Sequence, residues 1–336
     1  MRRQPQVWIG FVVSALALFL AFRGVEWSQL GDAWRGAQYG YLIPSAVSLL
    51  AAMAIRAERW RWLFGDRRHN LSTSRTFSVI SIGYLITNTL PLRLGEVARP
   101  IFVARDGRVT VAHAASTIVV EHVLDVLTVL GILVLLLPVL PLPDWAGRGA
   151  LASAWIFGAA LAAMLLMVWQ RVRVERWAEH ILDRIPRLHT PTWLRHVVHV
   201  LDGFAVLQPG KSLVAAIGWS VAGWLCSAVT FHLALLAFVP NPGFMISLFV
   251  TVTTTFSLLL PATPGGIGVL QGAIVLSLAV FGIPQATALS FAIVFHLMEL
   301  IVMDVVGAIM LWREAGSWAS MKAQIRSVTF SAVEDR

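Results

Sequence analysis

What most constrains this chain is a series of apolar runs, recurring along its whole length, each long enough to cross a hydrocarbon layer of ~30 Å at about 1.5 Å per helical residue. Inside such a layer there is no water to bond exposed backbone groups, so only helices and closed barrels can span it. The runs are continuous rather than alternating strands of about ten residues, which excludes a barrel. Charged residues make up 13% of the chain and hydrophobic ones 57%, whereas a soluble domain is about a quarter charged. The expected fold class is therefore an all-α polytopic membrane protein.

Six full spans are expected, near residues 7–22, 39–55, 110–137, 149–169, 212–239 and 286–312. Two further runs are broken, 76–109 by "LPLRLG" and 244–283 by "LPATPGG". Proline removes a backbone donor and glycine loosens a helix, so each run should form two half-helices joined by irregular backbone. Residues 1–315 then form one integral membrane domain with halves 1–137 and 212–312, and 316–336 is a cytoplasmic tail. The first span is read as retained, because no small-residue cleavage site follows Phe22.

Arginine and lysine set the orientation. Arg56, Arg59, Arg61, Arg67, Arg68 and Arg75 fall between 56 and 75, and seven more cationic residues between 170 and 211. Both stretches should face the cytoplasm, the second as interfacial helices broken at Pro186 and Pro191. The stretch "VEWSQLGDAWRGA" is a shorter interfacial candidate on the outside. Both ends of the chain are then cytoplasmic, in a cell inner membrane, provided each broken run enters and leaves on one side. Two full crossings would satisfy the same parity. Residues 76–90 rise only about 21 Å, past the midplane but short of the far surface, which favours re-entrant hairpins.

The two hairpins should form an inverted pair. Both break at Leu-Pro with a glycine four residues past the proline, Pro91 with Gly95 and Pro261 with Gly265. Each precedes a long span carrying a histidine and acidic residues, "VVEHVLDVLTVLGILVL" and "FHLMELIVMDVVGAIML". Paired interrupted helices in two matching halves are the pattern of transporters built from inverted repeats.

Charge at depth marks the candidate site. Arg93, Glu96 and Arg99 would each cost roughly 2.5–3.5 kcal/mol facing lipid at the bilayer centre. Glu96 and Arg99, three apart, can pair on a nascent helix, leaving Arg93 beside the amino end of a half-helix that begins near Leu94. Free amides and a positive dipole end there suit an anion such as phosphate; the alternative is that these residues only hold the break together. Arg56 and Arg59 join them as candidate headgroup contacts. On the next span Glu121 and Asp125 share a face beside His122, and two such carboxylates must share a proton or pair with arginines. They serve as counter-charge or coupling groups, or as packing ion pairs. His296 and Glu299 share a face of the last span and join that set, whereas Asp304 points elsewhere. Pro264, Gly265, Gly266 and Gly268, with Pro91 and Gly95, are candidate path-lining backbone, although packing is the simpler account of Gly265, Gly266 and Gly268 taken one by one. No catalytic residue, metal site or cofactor is expected. Cys226, the one cysteine, excludes an intramolecular disulfide and should be inert packing.

The ordered segments "RAERWRWLF", "NTLPLRLGEVARP", "VVEHVLDV" and "PATPGGIGVLQGA" together resemble the membrane region of the lysylphosphatidylglycerol synthase and flippase family, over nearly the whole chain. In the full-length aminoacyl-lipid enzymes of that family a soluble transferase domain follows the membrane region; here only the short tail follows. The resemblance implies flippase-like movement of a phosphate-bearing lipid between leaflets, not lipid synthesis, with a membrane lipid and a possible lipid-modifying enzyme as partners and no nucleic acid. It leaves the cargo open. The competing readings are a membrane-embedded lipid or polyprenyl-linked glycosyl or phosphate transferase, or its accessory subunit, and an ion-coupled transporter of a small solute. Glu121 and Asp125, the acidic pair such an enzyme would need, lie about 17–23 Å along their span from Thr110, too deep for a soluble sugar-nucleotide donor.

Overall fold

The structure is a computed structural model that describes residues 5–140, 211–260 and 262–315, with short pieces between 147 and 159. Ten helices of ten or more residues occur among the described residues: α1 (Pro5–Phe22), α2 (Trp27–Gly36), α3 (Leu42–Leu63), α4 (Thr73–Thr89), α5 (Leu94–Ala104), α6 (Val111–Leu136), α7 (Lys211–Leu235), α8 (Phe244–Ser257), α9 (Val269–Ala279) and α10 (Gln285–Ala315). No strand interrupts them, and the protein is a polytopic α-helical membrane protein. Four stretches are long and apolar enough to cross a membrane, Tyr39–Leu63, Val111–Leu136, Lys211–Leu235 and Gln285–Glu314. A fifth is the pair α1 and α2, bent by 84°. The bend turns α2 out of line with α1, as in a broken span or a re-entrant loop. Most of the expected span at 149–169, nearly all of the segment 170–211, the tail 316–336 and Pro261 lie outside the described residues.

Local sequence explains the helix starts. Ser72 caps α4 by accepting the Arg75 amide at 3.1 Å, and Thr110 caps α6 by accepting the His113 amide at 3.3 Å. The span expected to stop at 55 continues to Leu63, because Arg59 pairs with Glu121 and Asp125 inside the protein and Arg61 pairs with Glu58 on the same helix. Arg59, counted above as a loop arginine, sits within α3 and is only 2% exposed. Arg56 and Arg61 are on the same helix, leaving Arg67, Arg68 and Arg75 beyond its end.

The two halves repeat one pattern of neighbours. α3 packs on α4, α4 on α5 and α5 on α6; α7 packs on α8, α8 on α9 and α9 on α10. Across the halves α4 packs on α10 as α8 does on α6, and α3 lies along α7. Ser45 donates to the Thr230 carbonyl at 2.8 Å, Ser48 to the Cys226 carbonyl at 3.2 Å and Arg68 to Ser212 at 3.4 Å, so α3 and α7 are antiparallel. Equivalent helices that run in opposite directions make the repeat an inverted one.

Candidate functional site

The first break is tight because its two half-helices touch through glycine. A Cβ on Gly95 would collide with the Gly83 carbonyl oxygen and the Thr87 hydroxyl, and one on Gly83 would stand 2.8 Å from Cγ of Arg99. Leu90 ends α4, Pro91 opens a single 3₁₀ turn to Arg93, and α5 begins at Leu94. Arg93 itself is left-handed, with φ 52°, a conformation that costs an L-residue about 1–2 kcal/mol. Its partner at the second break is Gly268, φ 94°, the residue immediately before α9. A left-handed residue thus precedes the second half-helix in both repeats.

A chain of hydrogen bonds holds the second break. The Gly268 amide donates to Oε1 of Gln271 at 2.6 Å, Gln271 Nε2 lies 2.8 Å from Nδ1 of His296, and His296 Nε2 lies 2.9 Å from the Gly265 carbonyl. A carbonyl only accepts, so Nε2 carries the hydrogen and Nδ1 accepts from the amide nitrogen. These partners assign His296 as a neutral tautomer with both nitrogens occupied. The corresponding contact of the first half is His122 Nε2 with Glu96 Oε2, 3.2 Å. The sequence repeats with it: His122 is followed three residues later by Asp125, and His296 by Glu299.

Between the repeats the charges divide unevenly. Glu121 bridges two arginines, one oxygen 3.0 Å from Arg59 Nη2 and the other 2.7 Å from Arg99 Nη2. Asp125 pairs with Nη1 of Arg59 and accepts from Trp224 Nε1 at 2.9 Å. Trp60, fully buried, donates to Thr117 at 2.9 Å and lies under the Arg99 guanidinium, 4.4 Å from its ring centre. The expected Glu96–Arg99 pair is therefore not formed, since Arg99 reaches across to the longer-range partner. Glu96 instead pairs with Arg93, which is nearer the surface, at 3.6 Å.

Both breaks open into one cavity of about 870 Å³. Their backbones meet there: a Cβ on Gly265 would stand 3.7 Å from the Asn88 carbonyl. Of the expected site residues, Arg56, Pro91, Arg93, Gly95, Glu96, Arg99, Glu121, Asp125, Pro264, Gly265, Gly266, His296 and Glu299 line it. Arg59 lies behind the wall, and Gly268 packs on the backbone of Ser14 in α1. Asp304 accepts from Asn88 at 2.8 Å and does not line the cavity. Arg93, with 45% of its side chain exposed, and His122, with 49%, stand at the mouth, where the exposed Leu259 and Leu260 add an apolar rim.

Two lining charges have no counter-ion contact among the described residues. Arg56 bonds only to neutral hydroxyls, Tyr84 at 3.0 Å and Ser227 at 3.3 Å, over the ring of Trp224. Glu299 also lines the cavity, from α10. Sequence reading missed Tyr84, Trp224 and Ser227 because each is an ordinary span residue until α3 and α7 are laid side by side. The clue available was their position one side of otherwise apolar helices.

Residues 7–307 match the family model described as "Lysylphosphatidylglycerol synthase TM region". Among curated proteins, a UPF0104 membrane protein of Methanothermobacter thermautotrophicus is 22% identical over 325 residues, covering 91% of this chain and 94% of its own length. A second UPF0104 protein of that organism is 22% identical over 318 residues, with 89% and 92% covered. One from Methanocaldococcus jannaschii is 21% identical over 279 residues, with 80% and 83% covered. No solved structure matches the chain.

Proposed function

Because the chain belongs to the lysylphosphatidylglycerol synthase TM-region family, we propose that it carries a phosphate-bearing lipid or lipid-linked headgroup between membrane leaflets. The observation that carries this reading is the cavity where the two broken helices meet, charged within and rimmed by exposed leucines. Such a cavity suits an amphiphile: the headgroup enters among arginines while the acyl chains stay in lipid. Arg56 is the phosphate contact, since its guanidinium faces the cavity and is held only by hydroxyls. Arg93 and Glu96 receive the headgroup at the mouth. Arg99, Glu121, Asp125 and Arg59 hold the wall in shape.

On this reading the protein translocates and does not catalyse. Glu121 and Asp125, the acidic pair a transferase would need as base, are tied up by Arg59 and Arg99, which supports transport over transfer. The membrane is a cell inner membrane with both ends of the chain cytoplasmic, and the partner is a membrane lipid. The test is a proteoliposome assay with acyl-labelled phosphatidylglycerol, phosphatidic acid and phosphatidylethanolamine and a membrane-impermeant quencher. Wild-type vesicles should move at least one of these lipids well above the protein-free rate, with the rate at least tenfold lower in Arg56→Gln. Equal rates with and without protein for all three would overturn the proposal.

A further inference from the structure

We infer that the ion cluster of Arg75, Asp106 and Glu314 is a gate, a latch that shuts the cavity at its cytoplasmic end and opens it to that side when the ions part. Only the identity of what passes, and which end is cytoplasmic, rests on the translocation reading. Arg75, in the first turn of α4, ties the base of the first hairpin to the end of α10. Its guanidinium donates to the Phe102 carbonyl of α5 at 2.7 Å, stands 3.5 Å from Asp106 just beyond α5, and pairs with Glu314. Half of the Asp106 side chain is exposed, so the cluster reaches the surface. A column of contacts between α4 and α10 leads from it to the cavity. Ser78 donates to the Met310 sulfur at 3.3 Å, and a Cβ on Gly307 would stand 2.5 Å from the Ser81 carbonyl oxygen. Met303, two turns from Met310 on the same face of α10, lines the cavity. Arg75 and Glu314 are the outermost pair of that column.

The inverted repeat shows what stands at the same places in the other half. Counted from the paired prolines Pro91 and Pro261, Arg75 corresponds to Met245. Counted from the left-handed residues Arg93 and Gly268, Asp106 corresponds to Phe281, and from His122 and His296, Glu314 corresponds to Leu140. These three residues meet as the equivalence requires. Leu140 forms a buried apolar cluster with Leu136 and Phe249, Met245 and Phe281 pack against it, and the rings of Phe249 and Phe281 are 5.7 Å apart. Where a hairpin base meets the long span of the opposite half, ions therefore make the contact at one end of the molecule and apolar side chains at the other. The two closures part at different cost. Ions near a surface exchange each other for water, and such pairs hold weakly. Parting the apolar cluster would instead expose to water a surface that burial had removed from it. The ionic end is the one that opens, and the apolar end holds the halves together while one repeat rocks against the other.

Cysteine accessibility in the full chain tests the gate. Cys226→Ser removes the one native thiol, and Met303→Cys then places a single thiol in the cavity wall. Sealed vesicles of either orientation are treated with an uncharged, membrane-impermeant maleimide. With the latch intact, labelling from the cytoplasmic face should be slow, and high potassium chloride should speed it by screening the ions. Arg75→Gln, and separately Asp106→Asn with Glu314→Gln, should each label at least about fivefold faster from that face, the loss of two ion pairs. Neither should gain rate from the outer face or respond further to salt, and an outer-face rate equal to the parent's shows that the variant folded. Fast cytoplasmic labelling of the latched parent, a parent rate that ignores salt, or latch variants that label no faster would each overturn the gate. Equal acceleration from both faces would overturn it too, since the hairpin would then have loosened rather than opened. The salt response needs no latch variant, so it decides the matter even where a variant fails to fold. The lipid assay separates the two proposals. Faster labelling of the latch variants with no lipid moved by the wild type keeps the gate and removes lipid translocation; lipid movement with labelling that never changes does the reverse.

Discussion

Removal of Arg59 should be among the most damaging single changes in the protein, and a second change should largely repair it. Arg59 is 2% exposed and supplies the cation for Asp125 and one oxygen of Glu121. Arg59→Met keeps the volume and removes the charge, which leaves four partners as three: Arg99, Glu121 and Asp125. One buried carboxylate is then uncompensated, a loss of about 3–5 kcal/mol. At about 2 °C per kcal/mol for a domain of this size, the apparent Tm in detergent should fall by roughly 6–10 °C. Arg59→Met with Asp125→Asn restores the balance, because Arg99 still pairs with Glu121 and the asparagine oxygen still accepts from Trp224. The double variant should recover more than half of the lost Tm. Thermal unfolding of the three proteins, read by retention on size-exclusion chromatography, measures this. A single variant within 1 °C of wild type, or a double variant no more stable than the single, would refute the charge argument.

Gly95→Ala should destabilise by about 1–3 kcal/mol or block folding, since its methyl meets the Gly83 carbonyl and Thr87; a wild-type yield of monodisperse protein would contradict the close helix contact. Gln271→Leu deprives the Gly268 amide and His296 Nδ1 of their partners and should cost about 1–3 kcal/mol, with a larger relative loss of lipid movement than of Tm; equal losses would mean that the clamp only packs. Trp60→Leu removes the ring beneath Arg99 and the bond to Thr117 and should lower stability by about 3 kcal/mol or more, whereas Trp60→Phe should recover about half of that loss by keeping the ring; no difference between the two would place the effect in volume alone.

Much of the frame is visible in the sequence because its signals are local. A proline and glycine inside an apolar run break a helix wherever they stand, and a histidine with an acid on one helix face is a matter of counting. The site's wiring is not local. Arg59 reads as a topology charge at the end of a span until α6 is brought to it, and then Glu121 and Asp125 extend the buried helix by two turns. Glu96 and Arg99 read as a pair because they are three apart, but Arg99 meets a better partner on α6, a residue that only the packing of Gly83 against Gly95 brings within reach. His296 reads as a coupling group from its depth; its two bonds to Gln271 and Gly265 give it a holding role instead.

The inverted repeat supplies its own control on what the buried charges are for. If His122 and His296 are equivalent, then Glu121 corresponds to Phe295, and the second half does without the arginine network altogether. Phe295 is 1% exposed and stacks on Phe231 with ring centres 4.2 Å apart, next to Phe291. An aromatic core thus supports the same break, the same left-handed residue before the second half-helix and the same histidine contact that an ion network supports in the first half. Replacing a buried ion network by well-packed apolar groups is commonly neutral or stabilising, and this chain holds both solutions at equivalent places. Stability alone therefore does not require Arg59, Arg99, Glu121 and Asp125 to be charged. What differs between the halves is what they show the cavity: arginines and carboxylates from the first, chiefly threonines, His296 and a lone carboxylate from the second. An aromatic core could not present that charge to the cavity.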